Sequence, residues 1–112
     1  MTLKENTDFT RTYYRGKSIA NPALVVYSRK NGAGFCRVGI TTSKKIGNAV
    51  KRNRSRRVIL AAYRAISSEL NADGCSIVFV ARGKTASLKS TEIEVVMRQH
   101  LTKAGLLKEN ND

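Results

Sequence analysis

The spacing of apolar residues changes repeatedly along this chain, and each change marks an element. Between Glu5 and Arg15, Phe9 and Tyr13 stand four apart on one helical face, and Gly16 is a natural stop. Ala23-Leu24-Val25-Val26-Tyr27 is an apolar run of strand length. Pro22, just before it, lacks its N–H where the loss does little harm. Asn31-Gly32-Ala33-Gly34 reads as a turn, because Asn-Gly favours tight hairpins. Phe35 to Thr42 returns as a strand, with Phe35, Val38 and Ile40 available to a core, and this hairpin is expected to be antiparallel.

Helical spacing takes over from Asn48, a good N-cap residue, to about Leu70. At about 100° per residue, Val58, Ile59, Ala62, Ile66 and Leu70 gather on one side and Arg52, Asn53, Arg56 and Arg57 on the other. Asn71-Ala72-Asp73-Gly74 ends this helix. The nearly all-apolar Ser76-Ile77-Val78-Phe79-Val80-Ala81 then reads as a central strand. A last helix is expected from about Glu92 to Ala104, with Thr91 and Glu94 as a capping box, Gly105 as its stop, and a frayed tail after Leu107. The order α-β-β-α-β-α over residues 1–112 predicts one α+β domain, a two-layer sandwich of a small mixed sheet with helices on one face.

Charge changes this picture more than composition does. A hydrophobic share of 41% is enough for a folded core, and 112 residues make one domain. The net charge of +13 points to nucleic acid or an anionic surface. No stretch approaches the ~18 apolar residues of a spanning helix. Nothing near Met1 looks like a signal peptide, so the cytoplasm is the expected location. No acid occurs between Asp8 and Glu69, and Ser43 to Arg57 holds seven cations in fifteen residues. Lys51 and Arg52 fall at the positive end of the helix dipole, where a cation costs about 0.3–1 kcal/mol. A chain selected for stability alone would place acids there, so the arrangement reads as a phosphate-binding ridge rather than an idle solvated face. Arginine suits that task, since guanidinium forks onto phosphate oxygens and stacks on bases.

The remaining candidates are bounded by what the chain lacks. Cys36 and Cys75 lie in or beside strands and read as small buried hydrophobes, a disulfide being possible but unsupported in a cytosolic chain. The eight acids are scattered, and His100 is the only histidine. Neither a carboxylate metal cluster nor an acid–base pair for phosphodiester cleavage can be assembled, and Lys44-Lys45-Ile46-Gly47 is no phosphate loop. Cleavage by this chain alone is not expected. Phe9, Tyr13 and Tyr27 read equally well as core packing or as platforms for unstacked bases.

The segment Ser43 to Arg57, centred on Arg52-Asn53-Arg54, resembles the signature of the bacterial ribonuclease P protein subunit family. Asp8-Phe9, Gly16, Arg37-Val38-Gly39-Ile40 and Ala81-Arg82 follow the same family pattern in order. The resemblance implies a left-handed β-α-β crossover and a ribosomal-protein-S5-like fold. It implies an enzyme in which a catalytic RNA subunit, with Mg2+ in the RNA-based active site, removes the 5′ leader of precursor tRNA. The protein itself would hold no cofactor or metal and contribute no catalytic residue. Its RNA-subunit contacts would be Arg52, Asn53, Arg54, Arg56 and Arg57. Its leader cleft would use Phe9, Tyr13, Tyr27, Ser43, Lys44 and Lys45. Many relatives of this kind carry a further basic residue a turn beyond Arg56-Arg57, where this chain has Leu60-Ala61, and Arg64 is the candidate substitute. His100 receives no role. Two other classes stand beside this one: a non-catalytic structured-RNA-binding or ribosome-associated protein, and a duplex-DNA-binding helical protein. Membrane and DNA are not expected partners.

Overall fold

The computed structural model describes residues 17–30, 34, 36–42, 44–70 and 74–107. The expected first helix with Phe9 and Tyr13, most of the Asn31–Gly34 turn, Phe35, Ser43, the Asn71–Asp73 stretch and the tail after Leu107 lie outside the described residues. Within them run β1 (Lys17–Asn21), β2 (Leu24–Lys30), β3 (Arg37–Thr41), α1 (Ala49–Ile66), β4 (Cys75–Ala81) and α2 (Ser90–Lys103). The order in the four-stranded sheet is β1-β2-β4-β3. Strand β4 pairs antiparallel with β2 and parallel with β3, so the sheet is mixed and the fold is α+β.

The expected hairpin between β2 and β3 does not form, because β4 inserts between them. Burial explains the choice. Six of the seven β4 residues are buried, and Ile77, Val78 and Phe79 are fully so. A strand that apolar on both faces gains most from the centre, and the more polar β3 (Arg37, Gly39, Thr41) takes an edge. The true hairpin is β1–β2, whose first strand Lys-Ser-Ile-Ala-Asn has only Ile19 and Ala20 as an apolar signal. Its two-residue loop is Pro22-Ala23, and the Asn21 side chain accepts the Ala23 N–H at 2.9 Å.

Strand alternation divides the sheet into two faces. Leu24, Val26, Val38, Cys75, Ile77, Phe79 and Ala81 join Val58, Ile59, Ala62, Ile66, Ile93, Met97 and Leu101 of both helices in one core. Burying each large apolar side chain contributes about 1.5–3 kcal/mol, so this core is what mounts α1 on the sheet. Helix α1 ends at Ile66, a 3-10 turn (Ser67–Glu69) follows, and Leu70 is buried and bridges Leu107. Helix α2 starts two residues earlier than expected. The Lys89 N–H donates to Glu92 at 3.4 Å, while Glu94 pairs with Arg98 and does not cap. At its end Gly105, at φ +74°, lets Leu106 N–H reach Leu101 O at 2.9 Å and buries Leu106.

Candidate functional site

The entry to α1 sets the direction of the basic ridge. After the 3-10 turn Lys44–Ile46 the buried Ile46 fixes the chain, and Gly47 turns it at φ +135°. A Cβ on Gly47 would come within 2.9 Å of Cδ in the exposed, flexible Lys51 side chain, which can swing aside, so it is the positive φ that calls for glycine. Asn48 then caps the helix, its Oδ1 accepting the Lys51 N–H at 3.0 Å. The first turn of α1 contains no acid.

From there the side chains separate by face. Ser55, Val58, Ile59, Ala62 and Ile66 are buried, the Ser55 hydroxyl donating back to Lys51 O at 2.9 Å. Asn53, Arg56 and Arg57 are exposed, and with Val50, itself 72% exposed, they line a shallow concavity of about 510 Å³. Arg56 also reaches Thr42 at the end of β3, 3.4 Å from its hydroxyl. Arg52 is half-buried, and its Nε has no hydrogen-bond partner among the described residues. Arg54 turns the other way and donates its Nε to Ala86 O at 2.6 Å. Arg64 is exposed and lies seven residues beyond Arg57, on the same helical stripe. The predicted ridge therefore holds Asn53, Arg56 and Arg57 together, with Arg52 partly sunk behind them and Arg54 committed to a loop.

That loop (Arg82–Lys89) is tied down independently. The Thr85 hydroxyl is fully buried, donates to Ala23 O at 2.5 Å and accepts the Arg82 N–H at 2.9 Å. It joins the loop to the β1–β2 turn.

The leader-cleft candidates divide between described and undescribed positions. Phe9, Tyr13 and Ser43 lie outside the described residues, as does the Lys44 side chain. Lys45 is exposed beside buried Ile46. Tyr27 is half-buried on the sheet face opposite the helices. On that face the register sets Val78 between Tyr27 and Gly39, and Ser76 between Arg29 and Arg37. Sequence reasoning does not find Arg29 and Arg37. The i,i+2 step from Tyr27 to Arg29 is visible in the chain, but Arg37 joins them only through the β4 insertion.

Among the described residues the acids are Glu69, Glu92 and Glu94. Arg98 binds Glu69 at 2.6 Å and Glu94 at 3.3 Å. The Arg98 hydrogen bond holds the Glu69 carboxyl below its usual range. Among the described residues no three of His, Cys, Asp and Glu form a group able to hold a metal ion, and no helix is long and apolar enough to cross a membrane.

Comparison with known proteins gives this arrangement a family. A family model described as Ribonuclease P matches residues 1–105. The Ribonuclease P protein component of Clostridioides difficile (strain 630) is 47% identical over 92 residues, 80% of this chain and 81% of its own. That of Thermoanaerobacter sp. (strain X514) is 39% identical over 104 residues, 93% and 89% of the two chains. The solved RNase P protein of Staphylococcus aureus superposes with a TM-score of 0.80 at 33% identity, covering 96% of this chain and 97% of its own. The Thermotoga maritima RNase P protein does so with a TM-score of 0.78 at 27% identity, covering 92% and 96%. With the family model spanning nearly its whole length and the same fold in solved relatives, the chain belongs to the ribonuclease P protein component family.

Proposed function

We propose that this chain binds two RNAs within ribonuclease P: the catalytic RNA subunit on α1, and the 5′ leader of precursor tRNA on the far face of the sheet. Family membership supports the assembly, and one observation of this chain carries the division of labour. Asn53, Arg56 and Arg57 share one concavity on a helix whose opposite side is locked into the core. Such a ridge meets a polyanion without refolding. Each phosphate it neutralises releases condensed counterions, so binding weakens steeply with salt. Asn53 both donates and accepts, which suits a 2′-hydroxyl or a base edge. Tyr27, with Arg29 two residues on along β2 and Arg37 beyond Ser76 on β3, offers an aromatic group beside cations, and that combination suits an unpaired strand.

In this reading the protein positions RNA and performs no bond cleavage. Mg2+ in the RNA-based active site supplies the electrophilic and nucleophile-generating chemistry. The protein's cations lower repulsion between two polyanions and hold the leader in register.

The test is reconstitution with a family RNA subunit at low Mg2+, followed by titration with precursor and mature tRNA. Tighter holoenzyme binding of the precursor is expected. Equal affinity for both would leave the alternative of a leader-blind structured-RNA-binding protein.

A further inference from the structure

The two cysteines do more than fill space. Cys36 immediately precedes β3 and Cys75 opens β4. The parallel register Arg37↔Ser76, carried back one residue, sets them side by side. Their sulfurs stand 2.8 Å apart as free thiols. Neighbouring strands lie about 4.7–4.9 Å apart, inside the Cα separation of about 4.4–6.8 Å that a disulfide spans. Cys75 is 1% exposed, whereas Cys36 is only half-buried. Tyr63 from α1 rests against the pair and stacks at a tilt on Phe79, ring centroids 5.9 Å apart. Its hydroxyl is pushed up to about 12, by burial first and then by the two cysteines. Burial also pushes the Cys75 thiol up, which leaves Cys36 as the sulfur a reagent reaches first.

We propose that Cys36 and Cys75 form a reversible oxidation site, closed to an intramolecular disulfide by a low-molecular-weight disulfide. The Cys36 thiolate attacks one sulfur of the small disulfide and expels the other as a thiolate, which takes up the proton that Cys36 gave up. Cys75 then attacks Cys36 Sγ in the mixed disulfide and expels the second small thiol, which leaves with the Cys75 proton. Two protein thiols are oxidised and one small disulfide is reduced to two thiols. The bond closes the loop from Cys36 to Cys75, which carries β3 and the whole of α1. It therefore clamps the edge strand and the mount of the basic ridge without touching any ridge side chain.

The experiment is to incubate the folded full chain with oxidised glutathione and follow intact mass, free thiols and thermal unfolding. The expected result is loss of both thiols, a mass lower by two hydrogens, a Cys36–Cys75 cross-linked peptide, and a melting point raised by at least about 5 °C. Cys75→Ala is expected to stop at a stable glutathione adduct on Cys36. A wild-type protein that accumulates the Cys36 adduct, forms only intermolecular dimers, or oxidises only after unfolding would overturn the proposal, and these outcomes need no variant to fold.

Discussion

Arg54 Nε donates to Ala86 O at 2.6 Å, bridging positions 32 apart in sequence. One arginine of the basic run is thus part of a loop clamp, while Arg56 and Arg57 face outward. Arg54→Ala is expected to speed hydrogen exchange several-fold at the Ser87 and Leu88 amides, which bond to Lys84 O and Thr85 O. It should change the salt dependence of RNA binding less than Arg56→Ala does. Equal effects on the salt slope would mean that Arg54 primarily touches RNA.

Arg56→Ala and Arg57→Ala should each lower the slope of log affinity against log salt by about one unit for every phosphate left without its cation. Circular dichroism should be unchanged, since both side chains are exposed. A slope equal to that of the unaltered chain would place the RNA on another surface.

The start of α1 should be sensitive to small changes. Asn48→Ala removes the cap on Lys51 N–H and is expected to cost about 1 kcal/mol. Gly47→Ala forces a side chain to a positive φ against Lys51 and should cost about 1–3 kcal/mol. Denaturant midpoints at constant m-value decide both.

Thr85→Val keeps the shape of the side chain but strands Arg82 N–H and Ala23 O. Each buried unsatisfied group costs about 1–3 kcal/mol. Thr85→Ser retains the hydroxyl and should recover most of that loss. If valine proves neutral, water replaces the hydroxyl there.

His100 is 4% exposed on α2, and its Nδ1 has no hydrogen-bond partner among the described residues. Burial, and then the charge of Lys103, hold its pKa below the ordinary value. The unfolded chain therefore takes up a proton at a higher pH than the folded one. Stability is full above about pH 6.5, falls as pH drops below that value, and levels off only beneath the depressed folded pKa. Unfolding midpoints at pH 7 should exceed those at pH 5, and His100→Gln should flatten that difference. An unchanged difference in the variant would assign the effect to other groups.

Local signals are legible in the sequence where one interaction decides the outcome. Asn48 caps α1, and Val58, Ile59, Ala62 and Ile66 all prove buried, because helical periodicity is itself a record of burial, while Leu70 is buried beyond the helix end that the sequence sets too late. The cationic ridge is equally plain, since nothing nearby in the chain answers its charge. The pairing of strands is not legible in the same way. Asn31-Gly32 signals a local turn, but a sheet neighbour is chosen by total burial, and β4 outcompetes β3 for the side of β2. The Tyr27, Arg29 and Arg37 face is therefore not readable as a unit. Nor does spacing reveal the Thr85 and Arg54 ties, which join residues far apart in sequence.

The insertion of β4 also fixes an order of events during synthesis. The β1–β2 hairpin closes over a two-residue loop, so it can form as soon as it is made. Among the described residues β3 has no sheet partner until residues 75–81 emerge, since its ladder there is with β4. The basic ridge is thus made before the strand and helix that hold it: the apolar side of α1 rests on β4 and on Ile93, Met97 and Leu101, all of which follow it in the chain.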